Sequence, residues 1–160
     1  MDTDPPSHPV DLDVASAAIA LLDAALAETD MFWSQVNEED SVYAEVLARD
    51  LRHDEWQALY ARWRQRPVAW QRCLATVLAA VAPQQAAPWL LEMVEQGEDE
   101  LALHAIDELR DMLRGRSLIL PWPPTAVRRV KELWSRHRGF TASQLEQFLA
   151  DLRHGSVVDR

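Results

Sequence analysis

Apolar residues recur three or four positions apart along most of this chain, and such spacing is typical of amphipathic α-helices. In the first segment, for example, Ile19, Leu22 and Leu26 fall on one helical face. The clearest pattern follows Pro67, which suits the first turn of a helix, and it stops at Pro83. Eight helices are predicted, at about 12–28, 41–53, 54–66, 67–82, 87–94, 102–113, 127–134 and 141–152.

Several residues predict where these helices begin and end. Asp54 with Gln57, and Thr141 with Gln144, are each spaced like an N-cap residue and its capping-box partner. Gly97 is predicted to end the fifth helix. Inside the helices, two tyrosines and most of five tryptophans are predicted to be buried: Tyr43, Tyr60, Trp56, Trp63, Trp70, Trp89 and Trp134.

A chain of 160 residues with only four glycines favours a single all-α domain. Short connections predict antiparallel helical hairpins. A shift of 33 residues superposes Trp56 on Trp89, as in a short HEAT-like solenoid, although an irregular helical bundle fits the pattern nearly as well. The predicted organisation is a flexible acidic, proline-containing tail at 1–10, one helical domain at 11–155 and a C-terminal tail at 156–160.

Acidic and basic residues are separated into blocks along the sequence. Residues 1–55 contain 14 acidic and 2 basic side chains, whereas 56–91 contain 4 basic and no acidic ones. The acidic excess returns at 92–112 and the basic excess at 113–140, and the formal net charge is −10. Such a charge repels nucleic acid and anionic lipid and attracts basic partners. Ion pairing between the blocks is also expected.

The sequence contains no glycine-rich phosphate loop, no HExxH zinc motif and no GxSxG nucleophile motif. The single cysteine, Cys73, excludes an intramolecular disulfide and a cysteine-based zinc site, and it fits a reducing compartment. His53 and Asp54 resemble a metal-binding doublet, but helix capping by Asp54 explains them better. We therefore expect no catalytic residue, no metal and no cofactor, and no small-molecule ligand. The apolar run at 14–27 is too short and too charged to span a bilayer, so a cytoplasmic protein is expected.

Two acidic patches are candidates for binding a protein partner. On the sixth predicted helix, His104 and its acidic neighbours lie opposite the apolar stripe and are predicted to point to solvent. Trp33 and Trp122 lie in irregular segments, where they either fix loops or act as binding anchors. The candidate partner-binding residues are Glu38, Glu39, Asp40, Glu45, Glu98, Asp99, Glu100, Asp107, Asp111, Trp33 and Trp122.

Two segments resemble those of a known group of proteins. They are the helix junction Arg66-Pro67-Val68-Ala69-Trp70 and the helix that contains Ala105-Ile106 and Leu109. Over about 54–153 the chain resembles the helical, HEAT-like immunity proteins encoded beside bacterial antibacterial toxins. The resemblance implies stoichiometric inhibition, in which a preformed acidic surface captures a cationic toxin domain and covers its substrate cleft.

A HEAT-like adaptor that joins two endogenous proteins through a concave face is the alternative function. Salt separates the two, because an electrostatically steered inhibitor associates more slowly as ionic strength rises and an apolar groove binder does not. An enzymatic function has the least support, and it would be revealed by a metal or a coloured cofactor on the purified protein.

Overall fold

The computed structural model of the chain describes residues 12–30, 38–81, 83–114 and 122–155. Over these residues the chain forms eight α-helices and no strand, which confirms the predicted all-α class. The helices are α1 (Leu12–Asp30), α2 (Glu38–Arg49), α3 (His53–Tyr60), α4 (Val68–Val81), α5 (Pro83–Gln96), α6 (Asp99–Arg114), α7 (Pro124–Arg136) and α8 (Gly139–Gly155), and a short 3-10 turn covers Trp63–Gln65. Within the described part, no helix is both long and apolar enough to cross a membrane.

The chain divides into two compact units, Met1–Trp63 and Arg64–Arg160. In the first unit α1 packs against α2 and α3, and Leu22, Leu26 and Leu59 are essentially inaccessible to solvent. The predicted domain at 11–155 spans both units and stays a prediction. The two predicted tails, 1–10 and 156–160, lie outside the described residues.

In the second unit, α4, α5 and α6 all pack against one another, and α7 packs against α5 and α8. Contacts between helices two apart in the sequence, such as α4 with α6 and α5 with α7, are those that stacked helical hairpins make. Leu78, Leu90 and Leu109 lie in this core. The packing fixes α6 with one face inward and leaves its other face at the surface.

Two aromatic residues that were predicted to be buried are exposed: Tyr43 at 55% and Trp134 at 43%. The prediction is wrong for Tyr43 because α2 buries Ala44 and Ala48, whose small side chains let neighbouring helices approach closely. It is wrong for Trp134 because α7 buries the adjacent Leu133, which points about 100° away around the helix. The prediction is confirmed for the buried Trp56, Trp63 and Trp70, whereas Tyr60 and Trp89 are half-buried.

The start of α3 differs from the capping prediction. The helix begins at His53, and the backbone N–H of Arg52 donates to Oε2 of Glu55 at 2.7 Å. Glu55 therefore supplies the carboxylate of the capping box, and the predicted pair of Asp54 and Gln57 is wrong. Where several polar residues follow one another, more than one of them fits the spacing of a capping box, and here the true N-cap, Arg52, lies two residues before the predicted one.

The start of α8 also differs, because Gly139 begins the helix two residues before the predicted N-cap Thr141. Only His137 and Arg138 separate α7 from α8, and Gly139 makes the turn with a φ of 64°. Glycine adopts this left-handed conformation at little cost. Thr141 thus lies inside the helix, and its predicted capping box with Gln144 is wrong.

Candidate functional site

Helix α6 places three carboxylates on the surface of the second unit. Its inward face includes Ala102 and Ile106, which are almost completely buried. Because successive helical residues are rotated by about 100°, Glu100, Asp107 and Asp111 lie on the opposite side. Their side chains are 63%, 51% and 69% exposed, as the sequence predicts. We call these three residues the acidic face.

Each carboxylate of the acidic face has an arginine beside it. Oε1 of Glu100 lies 2.5 Å from Nη1 of Arg72 on α4. Arg110, whose side chain is only 14% exposed, places Nη2 3.2 Å from Oδ1 of Asp107 and Nε 3.9 Å from Oδ1 of Asp111. Among the described residues, Oε2 of Glu100 and Oδ2 of Asp107 have no hydrogen-bond partner. The acidic face is therefore partly neutralised and still retains acceptor oxygens.

His104 does not point to solvent, and that prediction is wrong. Its side chain is 16% exposed, and Nε2 lies 2.9 Å from Oγ1 of Thr76 on α4. The Thr76 hydroxyl donates to Oε1 of Glu108 at 2.6 Å. Since a hydroxyl has one proton, Nε2–H of His104 must donate to Thr76. His104 is largely shielded from solvent because α6 packs against both α4 and α5, so the contacts cover more of the helix surface than its apolar residues do.

Burial changes the ionisation of this group. It lowers the pKa of His104 to about 4, assisted by the Arg72 guanidinium, so the imidazole is neutral near pH 7. Burial raises the pKa of Glu108, and the hydrogen bond from Thr76 only partly offsets this rise. Burial likewise raises the pKa of Asp107. A positive charge brought close to these two carboxylates would favour their ionised forms.

Asp99, the first residue of α6, is engaged within the protein. Nη2 of Arg129 donates to its Oδ1 at 2.9 Å, and Nη1 of Arg136 lies 3.1 Å from its Oδ2. Arg129 also donates to the carbonyl of Gly97 at 3.1 Å. These contacts join the start of α6 to α7, as expected from the basic C-terminal block. The neighbouring Glu98 is exposed and has no ion pair among the described side chains.

The other candidate residues are less informative. Four of them lie outside the described side chains: Trp33, Glu38, Glu39 and Asp40. Glu45 is 24% exposed, with Oε2 3.9 Å from Nη2 of Arg49. Trp122 packs edge-on against the buried Phe148, with 5.0 Å between the ring centroids. This contact fixes the segment before α7 against α8.

An open pocket of about 260 Å³ adjoins the acidic face. Glu100 and Asp107 line it on the α6 side, and Thr141 and Gln144 line it on the α8 side. The remaining lining residues are Arg72, Leu103, His104, Ile106, Arg110 and Leu145. The pocket thus combines ion pairs, neutral polar groups and apolar side chains.

Three side chains that shape this site are not among the residues predicted from the sequence: Arg72, Thr76 and Arg110. Arg110 could have been found, because it follows Asp107 by three residues on one helix and such positions are neighbours. Arg72 and Thr76 precede their partners on α6 by 28 residues. Their pairing depends on how α4 packs against α6, and no local pattern reports it.

In the described part of the chain, no group of three or more histidine, cysteine, aspartate or glutamate residues is arranged to hold a metal ion. Comparison of the whole chain with protein-family models, with curated proteins and with solved structures finds no match.

Proposed function

We propose that this chain is a protein-binding module that acts without catalysis and takes a basic protein partner on the acidic face. The exposure of Glu100, Asp107 and Asp111 supports the proposal most directly, because each is more than half exposed. The three carboxylates extend over about 16 Å of one helix. A row of this length can meet several lysine or arginine side chains on one partner surface.

The internal arginines explain why this face can stay folded and still bind. Arg72 and Arg110 reduce the repulsion among the carboxylates but leave acceptor oxygens on Glu100 and Asp107 without a described partner. Burial raises the pKa of Asp107, and a cation that approaches this carboxylate would stabilise its ionised form. The net charge of −10 adds long-range attraction, which increases the rate of encounter with a basic protein.

More specifically, we propose that the chain is an immunity protein that neutralises a cationic toxin. Binding on the acidic face would cover the substrate cleft of the toxin and inhibit it stoichiometrically. The support is the fit between an exposed acidic helix and a basic nucleic-acid-cleaving or membrane-active domain, whose own site must be positively charged to bind anions.

The first experiment is affinity capture of the tagged chain from its native host, washed at low and then at high salt. We expect to capture a basic protein in stoichiometric amount that is released by high salt and is toxic when produced alone. Recovery of a non-toxic subunit of another complex, or only of abundant housekeeping proteins, would remove the immunity function.

The acidic face itself is tested with the triple variant Glu100→Gln, Asp107→Asn and Asp111→Asn. Neutral substitutions are preferable to lysines, because a lysine at these positions would repel Arg72 and Arg110. We expect the Kd for the captured partner to rise by more than about tenfold, with helicity unchanged by circular dichroism.

The matched control changes three exposed acids elsewhere: Asp50→Asn, Asp54→Asn and Glu146→Gln. It removes the same formal charge from other surfaces, so it should alter the Kd only slightly. If both triple variants weaken binding equally, net charge alone is responsible and the assignment to α6 is wrong.

An adaptor that joins two proteins is the second candidate, and a specific observation favours it. Trp134 is 43% exposed and Phe140 is 77% exposed, close together in sequence where α7 gives way to α8. Exposed aromatic side chains are frequent binding anchors. This surface would bind through apolar contact and would not require a basic partner.

A further inference from the structure

The end of α7 and the start of α8 expose two aromatic side chains. Trp134 is 43% exposed and Phe140 is 77% exposed. Trp134 lines an open hollow of about 420 Å³ to which both helices contribute, and Phe140 directly follows Gly139, another lining residue. Tryptophan is among the residue types that most often dominate the energy of protein interfaces. The hollow can therefore receive an apolar side chain of another molecule.

Three basic side chains lie beside these aromatic residues. Lys131 precedes Trp134 by three residues on α7 and Arg128 precedes Lys131 by three, so each lies next to the following one on the helix surface. Arg138 lines the hollow. All three are exposed, and none has an ion pair among the described residues. We call Arg128, Lys131, Trp134, Arg138 and Phe140 the basic aromatic surface.

The ion pairs of α7 explain why these cations are left without partners. Glu132 is the one acidic residue of this helix, and its Oε2 lies 3.6 Å from Nη1 of Arg129 and 3.7 Å from Nη2 of Arg136. Both arginines also pair with Asp99. One carboxylate, Glu146, lines the hollow and has no ion pair among the described side chains. Three unpaired cations thus outnumber one unpaired carboxylate at this surface.

We propose that the basic aromatic surface binds an acidic segment of another protein that has a large apolar side chain among its carboxylates. The apolar side chain would lie in the hollow against Trp134, and the carboxylates would pair with Lys131, Arg138 and Arg128. The aromatic contact removes apolar surface from water, and the cations favour an acidic segment over a neutral or basic one. This binding goes beyond the basic partner proposed above and does not depend on the acidic face.

The negative charge of the chain does not belong to the unit that has this surface. The second unit, 64–160, contains 13 basic and 12 acidic side chains, so the net charge of −10 comes from residues 1–63. The three cations attract an acidic ligand only at short range, because salt screens them and the chain as a whole is negative. Association of an acidic ligand should therefore not slow with rising salt as association of a basic partner does.

A nucleic acid fits this surface less well than an acidic protein segment. Nucleic acids are bound largely by neutralising many phosphates. The basic aromatic surface has three cations, and the carboxylate of Glu146 lies in the same hollow as Arg138. A short peptide segment needs fewer cations and can place an apolar side chain against Trp134.

The test begins with a library of random peptides of about twelve residues, displayed on phage and selected on the full chain. Such a library imposes no sequence, so the enriched peptides report what the surface prefers. We expect the peptides that bind the wild type but not the double variant Trp134→Ala and Phe140→Ala to be acidic and to contain an aromatic or large aliphatic residue. Both side chains are exposed, so this variant should keep the helicity of the wild type in circular dichroism.

Further variants assign the contacts, with an enriched acidic peptide as the fluorescent probe. Trp134→Ala should raise the Kd of this peptide by about fivefold or more, because the apolar side chain loses its main contact. The pair Lys131→Gln and Arg138→Gln should raise the Kd by a similar factor.

Matched controls make the same changes away from the basic aromatic surface. Tyr43→Ala removes an exposed aromatic side chain from the first unit. The pair Arg62→Gln and Arg153→Gln removes two exposed positive charges that have no ion pair among the described side chains. Each control should change the Kd of the peptide by less than about twofold.

The inference is overturned if the selection yields no acidic peptide, or if the controls weaken binding as much as the matching variants do. It is also overturned if a labelled thymidine oligonucleotide binds this surface more tightly than the peptides. Self-association of the chain in sedimentation experiments, abolished by Trp134→Ala, would show that a second copy covers the surface and would likewise overturn it.

Failure of this inference is separate from failure of the proposed function. Neutralising the acidic face should leave the Kd of the acidic peptide unchanged. A chain that binds acidic peptides through Trp134 and captures no basic partner would keep this inference and remove the proposed function. A chain that captures a basic partner and selects no acidic peptide would do the reverse.

Discussion

At the residue scale, one hydroxyl determines the chemistry of the contact between α4 and α6. Thr76 accepts from His104 and donates to Glu108, so two titratable side chains are joined through a group that does not titrate near neutral pH. A protonated imidazole would have to be accommodated with only 16% of its side chain exposed. The neutral form of His104 is therefore part of the folded structure.

This arrangement predicts how stability depends on pH. The pKa of His104 is about 4 in the folded chain, against 6.5 when it is unperturbed. As the pH falls from about 7 to about 4, the unfolded chain takes up a proton that the folded chain does not, so the free energy of unfolding decreases. The contribution is at most about 3 kcal/mol.

The measurement compares wild type with His104→Gln by urea unfolding across this pH range. Glutamine keeps an N–H donor for Thr76 and cannot titrate, so the variant should lose less stability on acidification. Glu108 and Asp107, whose pKa values are raised, act in the opposite direction in both proteins. Equal pH dependence of the two proteins would show that His104 is not buried in its neutral form.

At the element scale, two glycines allow neighbouring helices to connect, for different reasons. Gly97 follows α5, and a Cβ there would clash with the carbonyl of Met93 and lie 2.9 Å from Cδ2 of Leu101. Gly139 begins α8 with a φ of 64°, and a Cβ there would meet nothing within 4 Å. A larger residue at position 97 therefore lacks space, whereas a larger residue at position 139 has space but must adopt an unfavourable backbone conformation.

The two causes predict different responses to substitution. Gly97→Ala should lower the free energy of unfolding by about 1–3 kcal/mol, and Gly139→Ala by about 1–2 kcal/mol. Asparagine tolerates positive φ better than alanine, so Gly139→Asn should recover part of the loss. Gly97→Asn should be no better than Gly97→Ala. Urea unfolding of the four variants measures this, and recovery by asparagine at both positions would contradict the distinction.

The helices were predictable from the sequence because apolar periodicity is a local property. The outward direction of Glu100, Asp107 and Asp111 followed from the same periodicity. Gly97 was correctly predicted to end the fifth helix, but the starts of α3 and α8 were not predicted correctly. The pairing of helices was not predictable either, because it depends on the packing of distant segments. Arg72 pairs with Glu100 across 28 residues, and nothing near either residue specifies which helix faces α6.

At the scale of the whole molecule, folding pairs only part of the charge carried by the acidic and basic blocks. Part of the charge is neutralised by ion pairs within the protein. Arg129 and Arg136, for example, both pair with Asp99 at the start of α6. Part remains exposed on the acidic face, within a chain whose net charge is −10. An excess that folding does not neutralise is available to accelerate association with a protein of opposite charge.

Salt dependence of association separates the two proposed functions. For a basic partner on the acidic face, raising the salt concentration from about 0.01 M to about 0.5 M shortens the Debye length from about 30 Å to a few ångströms. The association rate constant should then fall by more than about tenfold, while the dissociation rate constant changes less. Stopped-flow or surface-plasmon measurements with the captured partner provide both constants.

The variant with a neutral acidic face is the control for this measurement. Neutralising Glu100, Asp107 and Asp111 should make the association rate constant less dependent on salt concentration, because fewer charges then attract the partner. A rate that is insensitive to salt in the wild type would instead indicate binding through apolar contact. The exposed Trp134 and Phe140 would then be the surface to change, and the adaptor function would replace the inhibitor.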